Sequence, residues 1–277
     1  MRVPVALVDL AGMSQPSHTD RPRRLVFGEV AGLYDRARPG YPASLIDDLV
    51  TWAQPGARAL EIGTGKATRL LAARGVSVLG IEPSAEMAAY ARVATAPLGN
   101  VEIVESDFER WPPDGVTFPL AYAAQAWHWV DQESGYAHVR AALAPGGHLV
   151  AFWNRPAWGD TELRAALSDA YRRTVPELPP DGPMHPDNPG VAGADESWAR
   201  AIAATDGLTD PSERLYRWSL DYSTDRYVEL LGTMSEVRLL GDADRQALLE
   251  AVGETIKRHG GRLTMPMATR ASSARAI

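Results

Sequence analysis

Short apolar runs and amphipathic stretches alternate along the chain from residue 57. "ARALEIG", "VSVLGIE", "VEIVESD", "FPLAYAAQAWHWV" and "HLVAFWN" are short, largely apolar and bounded by turn residues. Runs of that kind predict strands buried on both faces. Between them, "ATRLLAARG", "SAEMAAYARVATA" and "QESGYAHVRAALAPGG" carry helical spacing. The first of these helices closes on Gly75, a left-handed cap. The second starts after Ser84, a side chain suited to an N-cap, and its apolar side is Met87, Ala88 and Ala91. Strands alternating with helices predict a parallel sheet covered on both faces. Right-handed crossovers then bring the strand C-terminal ends to one edge, where ligands bind in such folds.

Upstream, "EVAGLYDRARPGYPASLIDDLVTWA" predicts a short helix around Val30, Leu33 and Tyr34, ending before Pro39. A second helix follows, with Leu45, Ile46, Leu49, Val50 and Ala53 on its apolar side. Downstream of Asn154 the rhythm breaks. Helices are predicted at "TELRAALSDAYRR" and "DESWARAIAATDG", separated by the proline-rich "VPELPPDGPMHPDNPG". A loop of that length is either disordered or a lid. The pattern resumes with a strand at "RLYRWSLDYS", helices at "TDRYVELLGTM" and "DADRQALLEAVGETIKRHG", and a last strand at "RLTMPMATRA". The predicted architecture is α/β: a doubly wound, mostly parallel seven-stranded sheet with a partly helical cap. Residues 1–22 read as a flexible tail or as an arm packing on a partner subunit. Residues 23–154 form the ligand-binding core, 155–213 a cap or lid insertion, and 214–277 complete sheet and cap.

Composition narrows the function classes. The net charge is −7 with no basic block, which argues against a nucleic-acid backbone as partner. Cysteine is absent, which removes disulfides, thiolate nucleophiles and cysteine-ligated metals. No apolar run approaches the ~20 residues needed to span a bilayer. The opening residues, with Asp9 inside a short apolar run, lack a signal-peptide layout, so a cytoplasmic location is expected. No two histidines have metal-ligand spacing, no H-E-x-x-H occurs and no metal is expected. A Gly-x-Ser-x-Gly elbow is also missing.

Candidate chemistry gathers at the predicted strand ends. Glu61 ends the first strand, and Gly63 and Gly65 let the following turn approach a ligand closely. Glu82 ends the second strand, 19 residues after Gly63, where a carboxylate can accept from a ribose diol. Asp107 ends the third strand, and Phe108 beside it offers a flat face for a purine. Past the fourth strand, His128 stands between Trp127 and Trp129. It is either a general base with a near-neutral pKa or a residue that packs and fixes its loop. Trp153, Tyr222 and Tyr227 are among many cap aromatics that either line an apolar substrate pocket or fill a core. Tyr222 is a further candidate for moving a proton.

The blocks "FGEVAGLYDRARPGYP", "ALEIGTGKATRLL", "VLGIEPSAEM", "ESDFE", "AQAWHWVD" and "LAPGGHLVAFWN" together resemble the class I S-adenosylmethionine-dependent methyltransferases, in their small-molecule branch. The resemblance covers residues 27–153 well and the remainder loosely. It implies a Rossmann-like methyltransferase fold with S-adenosylmethionine as cofactor. Glu61, Gly63, Gly65 and Gln125 would border its methionine end. Glu82 and Pro83 would hold the ribose, Asp107 and Phe108 the adenine, and Tyr34 and Arg38 would close over it. Trp127, Trp129, Trp153 and Tyr227 would line the acceptor pocket, with His128 and Tyr222 as catalytic candidates.

Related sequences read acidic-x-Gly-x-Gly-x-Gly. Here "EIGTGKAT" lacks one glycine, either through a two-residue deletion or with Ala67 at the third glycine position. The leading expectation is methyl transfer to a small organic acceptor in secondary metabolism. The alternatives are a cyclase, lyase or isomerase on the same scaffold with weakened or lost cofactor binding, and a catalytically silent binding module. A small-molecule substrate is expected, and the oligomeric state stays open, a homodimer included.

Overall fold

The computed structural model describes residues 37–54, 56–131, 134–159, 161–178 and 195–277. The tail, the helix expected around Val30–Tyr34, Tyr34 itself and most of the proline-rich loop lie outside them. Seven strands form one sheet: β1 (Arg58–Ile62), β2 (Ser77–Glu82), β3 (Val101–Glu105), β4 (Phe118–Ala124), β5 (Leu143–Pro156), β6 (Leu208–Ser223) and β7 (Arg262–Ala276). Their order is β3-β2-β1-β4-β5-β7-β6. The first five are mutually parallel, and β7 runs antiparallel to both β5 and β6. The expected doubly wound, mostly parallel sheet is therefore present, with a single reversed strand.

Helix α1 (Ala43–Ala53) buries Leu45, Ile46, Leu49 and Ala53 against one face of the sheet. It shares that layer with α2 (Lys66–Ala72), whose Ala67 and Leu71 face Val78, Leu120 and Val150. Helix α3 (Ala85–Thr95) starts where expected. The Ser84 hydroxyl accepts from the Met87 N–H at 3.3 Å, satisfying one of the free first-turn donors. On the opposite face, α4 (Gly135–Ala142) and α6 (Asp195–Ala203) cover Phe118, Ala121, Leu149 and Ala151 with Tyr136, Val139, Trp198 and Ile202. A second core fills the cap. There α5 (Glu162–Thr174), α7 (Thr224–Gly232), α8 (Ser235–Arg238) and α9 (Asp242–Arg258) pack on Leu263, Met265 and Met267 of β7.

Four segments differ from expectation. "LAPGG" belongs to β5 rather than to the preceding helix. Gly147 explains the crossing: a Cβ there would stand 2.8 Å from the Ala144 carbonyl oxygen. β4 stops at Ala124, because Gln125 takes a left-handed backbone (φ 60°) and Trp127–Trp129 turn into a 3₁₀ helix. β6 and β7 are also longer than their apolar runs, since each ladder partner satisfies the other's backbone whatever the side chains.

Candidate active site

The turn after β1 is tied down at both ends. Gly63 has φ 79°, and a Cβ there would lie 2.8 Å from Cβ of Ala126, beyond β4. Only glycine fits that approach. Thr64 folds back over β2: its N–H and its hydroxyl both donate to Oε2 of Glu82 at 3.0 Å. The Ser84 N–H donates to Oε1 of the same carboxylate at 3.1 Å. Gly80 makes room for this, since a Cβ there would meet Cγ2 of Thr64 at 2.8 Å. On the far side, the Gly65 N–H donates to Oγ1 of Thr68 at 3.1 Å. The Thr68 hydroxyl donates in turn to Oε2 of Glu61, which also accepts from the Tyr122 hydroxyl at 3.0 Å.

Glu61 is 1% exposed. Burial pushes its carboxyl up to about 8, and the nearby Glu82 adds to the shift, against the opposing pull of the Thr68 and Tyr122 hydrogen bonds. The Tyr122 phenol is held well above its usual range by burial and by Glu61. Glu61 is therefore a neutral buttress between the turn, α2 and β4 near pH 7. Its bonds run inward, not toward the open edge.

Glu82 and Asp107 share the edge. Glu82 pairs with Glu105 in the β2–β3 ladder, and the Ser106 N–H donates to the Glu82 carbonyl at 3.1 Å. Asp107 follows directly, its side chain 34% exposed and 3.7 Å from Arg110. Pro83 continues the same edge between Glu82 and the Ser84 cap. Phe108 is different: its ring is buried and meets His138 edge-on at 4.8 Å. It supports the Asp107 turn from within the core and presents no open face.

Past β4, Gln125 stays in the ladder through its N–H to the Phe152 carbonyl. Trp127 turns inward and packs against Tyr136 and Trp198, with ring centroids at 5.1 and 6.1 Å. It is a core residue rather than a pocket wall. His128 is exposed and Trp129 half-buried, with their rings 4.7 Å apart. The buried Trp153 donates its indole N–H to Nδ1 of His128 at 3.2 Å. Nδ1 is thereby assigned as the acceptor and Nε2 as the protonated nitrogen. Desolvation on the side of the ring packed against Trp153, and then the Arg155 guanidinium, lower the His128 pKa, while its outer edge stays open to solvent. At neutral pH it is a neutral ring offering a donor at Nε2.

The cap candidates form a second group. Tyr222 and Tyr227 meet edge-on at 5.8 Å inside the cap core. The buried Tyr222 hydroxyl has no hydrogen-bond partner, and burial raises it to about 12. Arg38 donates to the hydroxyl and carbonyl of Thr233 at 3.0 Å.

The chain matches the family model described as a methyltransferase domain over residues 60–147. It is 31% identical over 172 residues to an uncharacterized methyltransferase of Geobacillus sp. (strain WCH70), covering 58% of this chain and 76% of that one. It belongs to the class I S-adenosylmethionine-dependent methyltransferases. An uncharacterized methyltransferase of Mycobacterium tuberculosis is 38% identical over 138 residues, or 48% of this chain. The match spans about half (54%) of that relative's length. Among solved structures, a protein from Anaeromyxobacter dehalogenans described as a type II methyltransferase aligns with TM-score 0.53 and 25% identity, covering 84% of this chain and 97% of that chain.

Four residues of this methyltransferase escaped the sequence reading: Thr64, Thr68, Tyr122 and Arg155. The two threonines lie within the "GTGKAT" block, yet their hydroxyls gain meaning only through carboxylates on other elements. The pair of carboxylate acceptors suits the nucleoside end of the cofactor. Glu82 ends β2, Asp107 follows the end of the neighbouring β3, and Asp107 is partly open. Among the described residues no group of His, Asp and Glu could hold a metal ion. No described helix is long and apolar enough to cross a membrane.

Proposed function

We propose that this methyltransferase moves a methyl group from S-adenosylmethionine to a small organic acceptor. The observation that carries the reading is the convergence of Glu82 and Asp107 on one edge, beside the turn held by Thr64. When bound, S-adenosylmethionine would supply a methyl group on a sulfonium, whose departure leaves a neutral thioether. Glu82 would accept from the ribose hydroxyls, in competition with the Thr64 hydroxyl it now receives. Asp107 would accept from the base. Glu61, Thr68 and Tyr122 hold the turn in shape and touch no ligand. His128 orients the acceptor through Nε2–H, a hydrogen-bond donor rather than the general base that was one of its two expected roles. Such a reaction relies on in-line positioning more than on proton removal.

A calorimetric titration with S-adenosylhomocysteine tests this reading. Binding that weakens in Glu82→Gln and Asp107→Asn is expected. Absence of binding at millimolar ligand would overturn it. That outcome would favour a second reading, a cyclase, lyase or isomerase on the same scaffold. The feature on its side is that Glu82 is already bonded by Thr64 and Ser84.

A further inference from the structure

The face of the sheet beside His128 carries an excess of positive charge. Side chains alternate along a strand, so Trp153 and Arg155 of β5 share one face. In the antiparallel ladder Trp153 stands opposite Arg270, and Arg155 opposite Ala268. One strand further, Ala268 stands opposite Arg217, and Ser272 opposite Glu213. Directly opposed residues project to the same side of a sheet. The face thus presents Arg155, Arg270 and Arg217, with Glu213 as the nearby acid, 3.9 Å from Arg270. Farther out on the same face, Asp221 is engaged by the Thr264 hydroxyl.

Of the three, Arg217 is exposed to solvent and Arg270 has Glu213 within 3.9 Å, whereas Arg155 has no ion pair among the described residues. It is half-buried, and its only hydrogen bond among the described residues is a long one of 3.4 Å to the Asn154 carbonyl. Its cross-strand neighbour is a methyl group, not a carboxylate. Half-burying a cation without an acid is costly, and such a site gains most from an anion. His128 is within reach of the Arg155 charge, and is bonded by Trp153 of the same sheet face. With Nδ1 committed to Trp153, its Nε2–H has no protein acceptor among the described residues. Trp129 flanks the imidazole at 4.7 Å between ring centroids, giving the group an aromatic wall.

We infer that this site takes an acceptor bearing a carboxylate on an aromatic body, held between the Arg155 guanidinium and Nε2–H of His128. The inference rests on the methyltransferase reading for the word acceptor, but the anion site stands on its own residues. A guanidinium and an imidazole N–H give one carboxylate two charge-assisted bonds, with Arg270 and Arg217 adding long-range attraction.

The test uses two probes of nearly equal shape, benzoate and benzamide, titrated into the full chain and followed by tryptophan fluorescence. Benzoate is expected to bind at least about tenfold more tightly than benzamide, the difference charged hydrogen bonds confer. Arg155→Gln should abolish the preference and Arg155→Lys should keep part of it, with S-adenosylhomocysteine affinity unchanged in both. Equal binding of the two probes by the parent, or no benzoate binding at millimolar ligand, overturns the inference even if no variant folds. A preference that survives in folded Arg155→Gln overturns it too. Parallel titration with S-adenosylhomocysteine separates the claims. A benzoate preference without cofactor binding sinks only the methyltransferase reading. Cofactor binding without the preference sinks only the anion site.

Discussion

Replacing Glu61 with glutamine should make the fold more stable near neutral pH. The carboxyl is raised from 4.5 to about 8, first by burial and then by Glu82, while an unfolded chain leaves it near 4.5. A group raised in this way contributes its full stability below the unfolded value and loses it as the pH climbs toward about 8. At pH 7 the unfolded state has gained by ionising across about 2.5 pH units, which at 1.36 kcal/mol per unit is about 3 kcal/mol. Glutamine is neutral throughout and keeps a carbonyl oxygen for Thr68 and Tyr122. The assay is urea unfolding of parent and Glu61→Gln across the window between 4.5 and about 8. The parent should weaken steadily with rising pH, and the variant should lack most of that slope and exceed the parent at neutrality. If both weaken alike, Glu61 is not held neutral by burial, and the account of the turn falls with it.

Thr64→Val should tighten S-adenosylhomocysteine by up to about tenfold in calorimetry, because it removes one donor that competes for Glu82; unchanged or weaker binding would show that no competition exists. Gly80→Ala should cost about 1–3 kcal/mol in urea unfolding, since the new Cβ would press on Thr64 at 2.8 Å and Ile103 at 2.9 Å. Trp153→Phe removes the donor that favours neutral His128, so its imidazolium should form at higher pH than in the parent, as read by ¹⁵N NMR titration of the ring; an unmoved titration would mean the indole does not set the tautomer.

Most of the sheet was legible because its central strands are short apolar runs, and burial on both faces leaves little choice of residue. The outer strands were only half legible. "LTDPSER" and "SSARA" are polar, and they join β6 and β7 through backbone pairing that no side-chain period announces. At the site, acids at strand ends are readable because strand, turn and helix follow one another in sequence. The bonds that give those acids their character are not. Glu61 is neutral because the core buries it, despite the hydrogen bond from Tyr122 on another strand, and His128 is a donor because Trp153 reaches it from β5. The cap aromatics show the same limit: Tyr222 and Tyr227 have the composition of a pocket, yet pack against each other inside the cap core.

The position of β7 has a consequence for biosynthesis. This strand is made after both β5 and β6 but must slot between them, so a nascent chain carries one bare flank of β5 and a wholly unpaired β6 until residues 262–276 leave the ribosome. Unpaired flanks invite pairing with other chains. Slow emergence of β7 would favour intermolecular sheets, and a chaperone that shields strand flanks would raise the yield of native enzyme.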